Sequence, residues 1–465
     1  MKDMNVYKVV ELPEGHKTIG CCWVLEFKGD NKSGSVYKAW LVAQGFSQVP
    51  GIDYGATFTP VIKPATVQLL AVLSCQNDWE IDIFNVKRAF LWGILKEEIY
   101  MCQPKGFEQG DWRKSVWLML CSIYGLKQSV LEWYEQVCSV MSDLGFIHAE
   151  LDHALFYYNS KDDIIAGITS SVTNALPTKV KCLIGWHVDD SMGISNSHSF
   201  LKKVKWRIVE KFGIKDLGLI MKYLEIQFER DRKTRQLWMH QGEYISLLLQ
   251  EYGLSDCNPV CLPTDPKTPF GDPSASYLEV ANLCPSYLKL IGELIYLLVN
   301  THPDIAYIVN SLAQFNTKPL PCHFAAGKWV LRYLARTLNH WLHYSAHIET
   351  PELHAYADAG WANELGYCFV SRYAWFYAGR LISYISKKKM TVALSSTKAE
   401  YMAVIHVVQE GLWLRSLFSE LSLPFQTPIR IFSQQYWSDC SFHIGEISPT
   451  YKAYRHSIPF HLWTC

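Results

Sequence analysis

The sequence predicts an α+β protein of two or three domains, and three observations carry that prediction. Its 465 residues exceed what one hydrophobic core usually holds. In the first half of the chain, turn-punctuated β-rich runs alternate with stretches of helical periodicity. Residues 257–277, "CNPVCLPTDPKTPFGDPSASY", are rich in Pro, Thr, Ser and Asp, and the pattern resets again near residue 350.

The elements follow in order. "GCCWVLEFK" and "VYKAWLVAQGF" are strands joined by the turn-rich "GDNKSG". Residues 64–79 read as a helix with Val67, Leu70, Ala71 and Ser74 on one face. "WEIDIFNVKRAFL" is an alternating strand running into a helical start. Residues 129–146 form an amphipathic helix, and "LDHALFYY" opens a hairpin that reaches "GWHVDDSMGIS". "KYLEIQFERDRKTRQLWMHQGEYI" is another hairpin, whose turn concentrates Arg230, Arg232, Lys233 and Arg235. Helices are expected at about 285–300 and 323–338. "LHAYADAGWA" is a strand ending in a carboxylate, and 397–421 is a long helix burying Tyr401, Val404, Ile405, Val408 and Leu412.

Composition excludes several classes. Lys+Arg and Asp+Glu are equal at 44 each, so any nucleic-acid surface must be local rather than global. The greasiest run, "LIGELIYLLV", is too short to span a bilayer, and the N-terminal "MKDMNVYKVV" lacks the apolar core of a signal peptide. That pattern implies an intracellular chain whose 14 Cys are reduced thiols. There is no CxxC pair; Cys257 and Cys261 are the only close spacing that could suggest a metal knuckle, and no His pair completes a zinc site around them.

The chemistry concentrates at Asp189 and Asp190. Adjacent carboxylates at a tight turn repel, so something must neutralise them. Hard divalent cations do this, and a metal pair about 4 Å apart clamps both oxygens of a phosphoryl displacement. A solvated turn is the plainer explanation of the same two residues. An unrelated metal-dependent phosphotransferase would need a Gly-rich phosphate cradle, and the sequence has none.

The surroundings decide between these readings. "YKAWLVAQGFSQVPGIDYGATFTPV", "NVKRAFLWGILKEEIYMCQPKGF", "IYGLKQS", "HVDD", "KDLG" and "THPDIAY" occur in this order. Together they resemble the reverse transcriptase of copia-type LTR retrotransposons. "AYADAGWA", "SYISKKKMTVALSSTKAEYMA" and "GLWLR" resemble the RNase H domain that follows it. The resemblance covers residues 5 to 465, nearly the whole chain. It implies a fingers–palm–thumb polymerase over residues 1–256, a linker and helical thumb or connection over 257–350, and an α/β RNase H-like domain over 351–465. It also implies Mg²⁺ at two-metal sites, deoxynucleoside triphosphates, an RNA template, a DNA primer and an RNA–DNA hybrid as partners, with no membrane.

Residue by residue, the family's palm uses three aspartates. Asp189 and Asp190 match the pair, but the first position is Asn85, a neutral side chain. Asp82 lies three residues upstream, on the other face of a strand, and cannot substitute. Phe90 matches the residue that stacks under the incoming sugar, or is simply a core aromatic. Gly125 and Lys127 match the template-side motif, although Val130 and Leu131 replace its usual Pro-Arg. The fingers' Lys and Arg become Cys22 and Trp40, removing two phosphate-binding cations. Glu225 stands where the family has Gly, and residues 167–182 interrupt the strand leading to "HVDD".

In the RNase H region, Asp358 matches the first metal ligand and Glu400 the second. Glu400 also completes a capping box with Thr397. The third acid is Gln434, with Asp439 expected out of register. Each metal site thus lacks one carboxylate. The expected activities are RNA-directed DNA polymerisation and RNase H cleavage, both weakened. The competing expectation is a non-catalytic relic or nucleic-acid-binding chain.

Overall fold

The computed structural model describes residues 1, 4–28, 36–111, 114–159, 179–265, 277–346, 351–360, 368–392, 396–435, 438–444 and 446–451. The class is α+β, as the sequence predicts. The chain divides into two compact units: residues 1–62 with 82–218, and residues 63–81 with 219–465.

The first unit is built on a six-stranded sheet ordered Ile214–Leu219, Glu80–Val86, Asp190–Ser195, Lys181–His187, Leu155–Asn159, Ile147–His148. Two helices, Ser129–Asp143 and His198–Phe212, cover one face. They do so because Trp133, Val137, Val140 and Met141 from the first helix, and Leu201, Val204 and Ile208 from the second, recur at three- and four-residue spacing. These side chains pack on Phe84, Val86, Ile184 and Trp186 of the sheet. A full burial of each such aliphatic side chain is worth roughly 1.5–3 kcal/mol, so this layer fixes the sheet rigidly. A second, four-stranded sheet and the Cys21–Lys28/Val36–Ala43 hairpin complete the unit.

The second unit holds a six-stranded sheet ordered Arg380–Val392, Cys368–Tyr377, Leu353–Gly360, Ile429–Gln435, Ser438–Ile444, Glu446–Tyr451. Leu353–Gly360 and Ile429–Gln435 run parallel and the other neighbours antiparallel. The long helix is Ser396–Glu420, as expected, but its buried stripe is rotated. Ala403, Val404, Val407, Leu414, Leu417 and Phe418 are buried, whereas Ile405 is 56% and Leu412 45% exposed. Tyr401 lies outside the described side chains. The helix carries apolar residues on more than one face, so periodicity alone could not select the packed one. A separate helical core forms where Tyr277–Asn300, Ala306–Ala313 and Pro321–Arg336 pack through Leu290, Leu294, Val309 and Val330. No helix among the described residues is long and apolar enough to cross a membrane.

Candidate active site

In the first unit, Asn85 is the penultimate residue of the Glu80–Val86 strand, and Asp189 and Asp190 lie on the neighbouring hairpin. His187 pairs with Asp190, leaving Val188 and Asp189 as a two-residue turn. Val188 has φ of 57°, a left-handed conformation that a β-branched residue adopts only under constraint. The constraint is visible. The Trp133 indole donates to the Val188 carbonyl at 2.7 Å, and the Val86 N–H donates to the Asp189 carbonyl at 2.9 Å. The Ser191 hydroxyl donates to the Phe84 carbonyl at 2.9 Å, tying the next residue to the same strand.

The three predicted positions therefore meet. The Asn85 amide nitrogen donates to Asp189 Oδ2 at 3.1 Å and to Asp190 Oδ1 at 2.7 Å. Two carboxylates leave only the NH₂ end of an amide free to face them, because an amide oxygen would add to the repulsion. Asn85 thus bridges the pair as a donor. Among the described residues, no group of three or more His, Cys, Asp or Glu side chains is placed to hold a metal. Asp189 and Asp190 are a fitting oxygen pair for a hard cation such as Mg²⁺; Asn85, turned nitrogen-first, offers it nothing.

Asp82 is on the opposite face, as the strand period requires. It is 2% exposed, and Lys205, 4% exposed, reaches it at 2.8 Å. Lys205 also meets Asp216 at 2.6 Å. Burial opposes ionisation of Asp216, yet the Lys205 ammonium and the Gly218 N–H hold its carboxyl below the usual range. Asp82 is a buried structural charge.

The flanking positions separate by role. Phe90 is half-buried and meets Tyr124 edge-to-face at 4.7 Å between centroids. Burial, and then the Asp189 charge, push the Tyr124 phenol above its ordinary range. Sequence reading missed Tyr124, whose one signal was its place beside Gly125. Gly125 has φ of +92°, and a Cβ there would lie 2.1 Å from the Ala43 carbonyl oxygen. Only glycine lets the two segments approach so closely. Lys127 is exposed, with its ammonium 3.0 Å from the Tyr54 hydroxyl. On the two-stranded hairpin, Cys22 pairs with Val42 and Trp40 with Val24, so Cys22 and Trp40 share a face. Lys38 joins that face opposite Glu26 and lies 5.9 Å above the Trp40 ring.

In the second unit, Asp358 sits near the end of Leu353–Gly360, and Arg372 is its direct cross-strand partner. Their side chains form an ion pair of 3.1 Å. Glu400 lies near the start of the Ser396–Glu420 helix, and Gln434 in the strand beside Asp358; both side chains lie outside the described ones. The last parallel pair is Ala357 with Ser433, one residue before Asp358 and Gln434. Asp439 is not out of register: it stands directly opposite Gln434. Five residues along one strand put it astray; a hairpin brings it back.

The basic turn is partly neutralised within the protein. Arg232 reaches Asp78 at 3.1 Å and also pairs with Glu80, while Arg230 is 3.4 Å from Asp78. These two cations are internally neutralised, leaving Lys233 and Arg235 exposed on the turn. Glu225 occupies a left-handed position with φ of 56°, beside Leu224 at 49°, in the tight turn between Lys222–Tyr223 and Ile226–Asp231. The interruption at 167–182 falls mostly on residues outside the described ones.

Residues 4–266 match the family model of the reverse transcriptase (RNA-dependent DNA polymerase). The chain is 32% identical over 441 residues to the retrovirus-related Pol polyprotein from transposon TNT 1-94 of Nicotiana tabacum, covering 90% of this chain and 31% of that protein. It is 33% identical over 432 residues to the Pol polyprotein from transposon RE1 of Arabidopsis thaliana, covering 92% and 28%. The chain therefore spans about a third of the length of these relatives.

Proposed function

The chain belongs to the reverse transcriptase family of copia-type transposon Pol polyproteins, and on that premise we propose that it is their polymerase and ribonuclease H portion, with both metal sites impaired. The first unit would supply fingers and palm, extending toward residue 256. Residues 257–350 would supply thumb or connection, and residues 351–465 the RNase H-like part. The partners would be an RNA template, a DNA primer, their hybrid and deoxynucleoside triphosphates.

One observation carries the reading: Asn85, Asp189 and Asp190 meet at a single point although 104 and 105 residues separate them. Asp189 and Asp190 would hold Mg²⁺, which when bound draws negative charge off the primer oxygen and the triphosphate. Asn85 would keep the pair together by two hydrogen bonds while withholding a charge. Phe90 and Tyr124 would form the apolar floor beside them, and Gly125 the close passage of the neighbouring strand. Trp40 and Cys22 leave the triphosphate short of two cations, with Lys38 an ammonium that shares their face.

The amide bridge also favours a second reading, a chain that binds nucleic acid without chemistry. Primer extension on an RNA template with Mg²⁺ separates the two. The unmodified protein should extend weakly or not at all, and Asn85→Asp should raise extension by about 10–100-fold, the usual cost of a lost metal-site partner. Robust extension by the unmodified chain contradicts the impairment. A folded Asn85→Asp that stays inert supports the non-catalytic reading.

A further inference from the structure

We propose that Arg372 is a built-in counter-ion to Asp358 that keeps divalent metal away from this end of the second sheet. The inference rests on the reading of Asp358 as a metal-site acid, and it adds a residue that the sequence patterns did not flag.

The pairing is set by register. Asp358 and Arg372 are directly opposed on antiparallel strands, so their side chains emerge on the same face with Cβ atoms roughly 5 Å apart. The guanidinium Nη1 donates to Asp358 Oδ2 at 3.1 Å. Arg372 is mostly buried, at 17% side-chain exposure, whereas Asp358 keeps 40%. The guanidinium also lies over the Tyr307 ring, 5.2 Å from the centroid, which favours a cation there. A charge held by both a carboxylate and an aromatic face does not swing away freely.

Chemistry then decides the outcome. A guanidinium carries donors only and stays protonated at any working pH, so it can neither ligate a cation nor vacate the site by losing its proton. A divalent ion arriving at Asp358 meets a fixed positive charge already bonded to the oxygen it needs. Asn85 in the first unit is the milder case, because an amide can rotate its oxygen toward a metal. The competing account of Arg372 is a cross-strand ion pair that merely stabilises the sheet.

Mn²⁺ binding to the full chain, followed by loss of the free-ion paramagnetic resonance signal, separates these accounts. Arg372→Ala and the bulkier Arg372→Gln should each gain one Mn²⁺ per chain, with affinity at least about tenfold above the unmodified protein. Arg372→Lys, which keeps the charge, should gain none. Adding Asp358→Asn should abolish the gained site, while Asp358→Asn alone should leave Mn²⁺ binding of the unmodified chain unchanged. The proposal is overturned by folded Arg372 variants without the gain, by a gain that survives Asp358→Asn, or by metal lost on Asp358→Asn alone. Glu400→Gln in the Arg372→Ala background tests the underlying reading separately. If the gained ion stays, the RNase H-type pairing of Asp358 with Glu400 fails and the counter-ion role stands.

Discussion

Each unit presents acids at one end of its main sheet, on a hairpin turn in the first and near a strand's end in the second, and treats them differently. In the first, Asp189 and Asp190 face a neutral amide that bridges them; in the second, Asp358 faces a guanidinium from the adjoining strand. Both arrangements relieve a carboxylate of its charge problem inside the protein. The amide does so reversibly, since its oxygen and nitrogen exchange by rotation about one bond. The guanidinium does so permanently. What neutralises an acid, more than whether the acid is present, decides whether a metal can reach it.

The comparison holds only if Asp82 is excluded as a hidden third acid of the first unit. Lys205→Ala would leave Asp82 buried without its ammonium, and should cost about 3–5 kcal/mol of stability, read by chemical denaturation. A cost below about 1 kcal/mol would mean that Asp82 is more accessible than its burial shows, and the contrast between the strand's two faces would break. Next in size is the return of charge to the first unit. Combining Asn85→Asp with Trp40→Arg and Cys22→Lys should exceed the primer extension of Asn85→Asp alone. If the triple variant folds and does no better, the hairpin cations are irrelevant, and Glu225 becomes the first suspect.

Glu225→Gly should stabilise the second unit by about 1 kcal/mol, because a side chain at φ of 56° costs roughly that much relative to glycine. The gain is reduced by the loss of the Glu225 contact with Lys222 at 2.8 Å. Thermal melting of the variant checks it, and an unchanged melting temperature would show that the turn relaxes. The second unit should also lose stability on acidification. Burial lowers the imidazole pKa of His323 and of His354 below the ordinary 6.5, so both favour the neutral ring in the folded state. A depressed histidine costs stability where the unfolded ring is charged and the folded one is not, so the loss begins as pH falls through about 6.5. Melts between pH 7.5 and 5.5 should fall by ~2–4 °C, and His323→Gln should flatten part of the slope. The smallest effect is Asp358→Asn, expected to cost ~0.2–1 kcal/mol, the usual worth of a partly exposed cross-strand pair. A larger cost would make Arg372 chiefly a structural residue.

Sequence by itself determined the α+β class, the strand that carries Asn85, and the hairpin that carries Asp189 and Asp190. Those follow from local rules: alternation and turn chemistry. It also determined that Asp82 faces away, because a strand has period two. Only tertiary structure decided which stripe of the Ser396–Glu420 helix is buried, since apolar residues lie on several of its faces and the sheet beneath selects one. Tertiary structure also brought Asp78 and Glu80 onto Arg230 and Arg232, across more than 150 residues of chain, and so removed half of an apparent basic patch. Arg372 was illegible for the same reason. Fourteen residues separate it from Asp358, and no local pattern announces an ion pair that exists because two strands lie in one particular register.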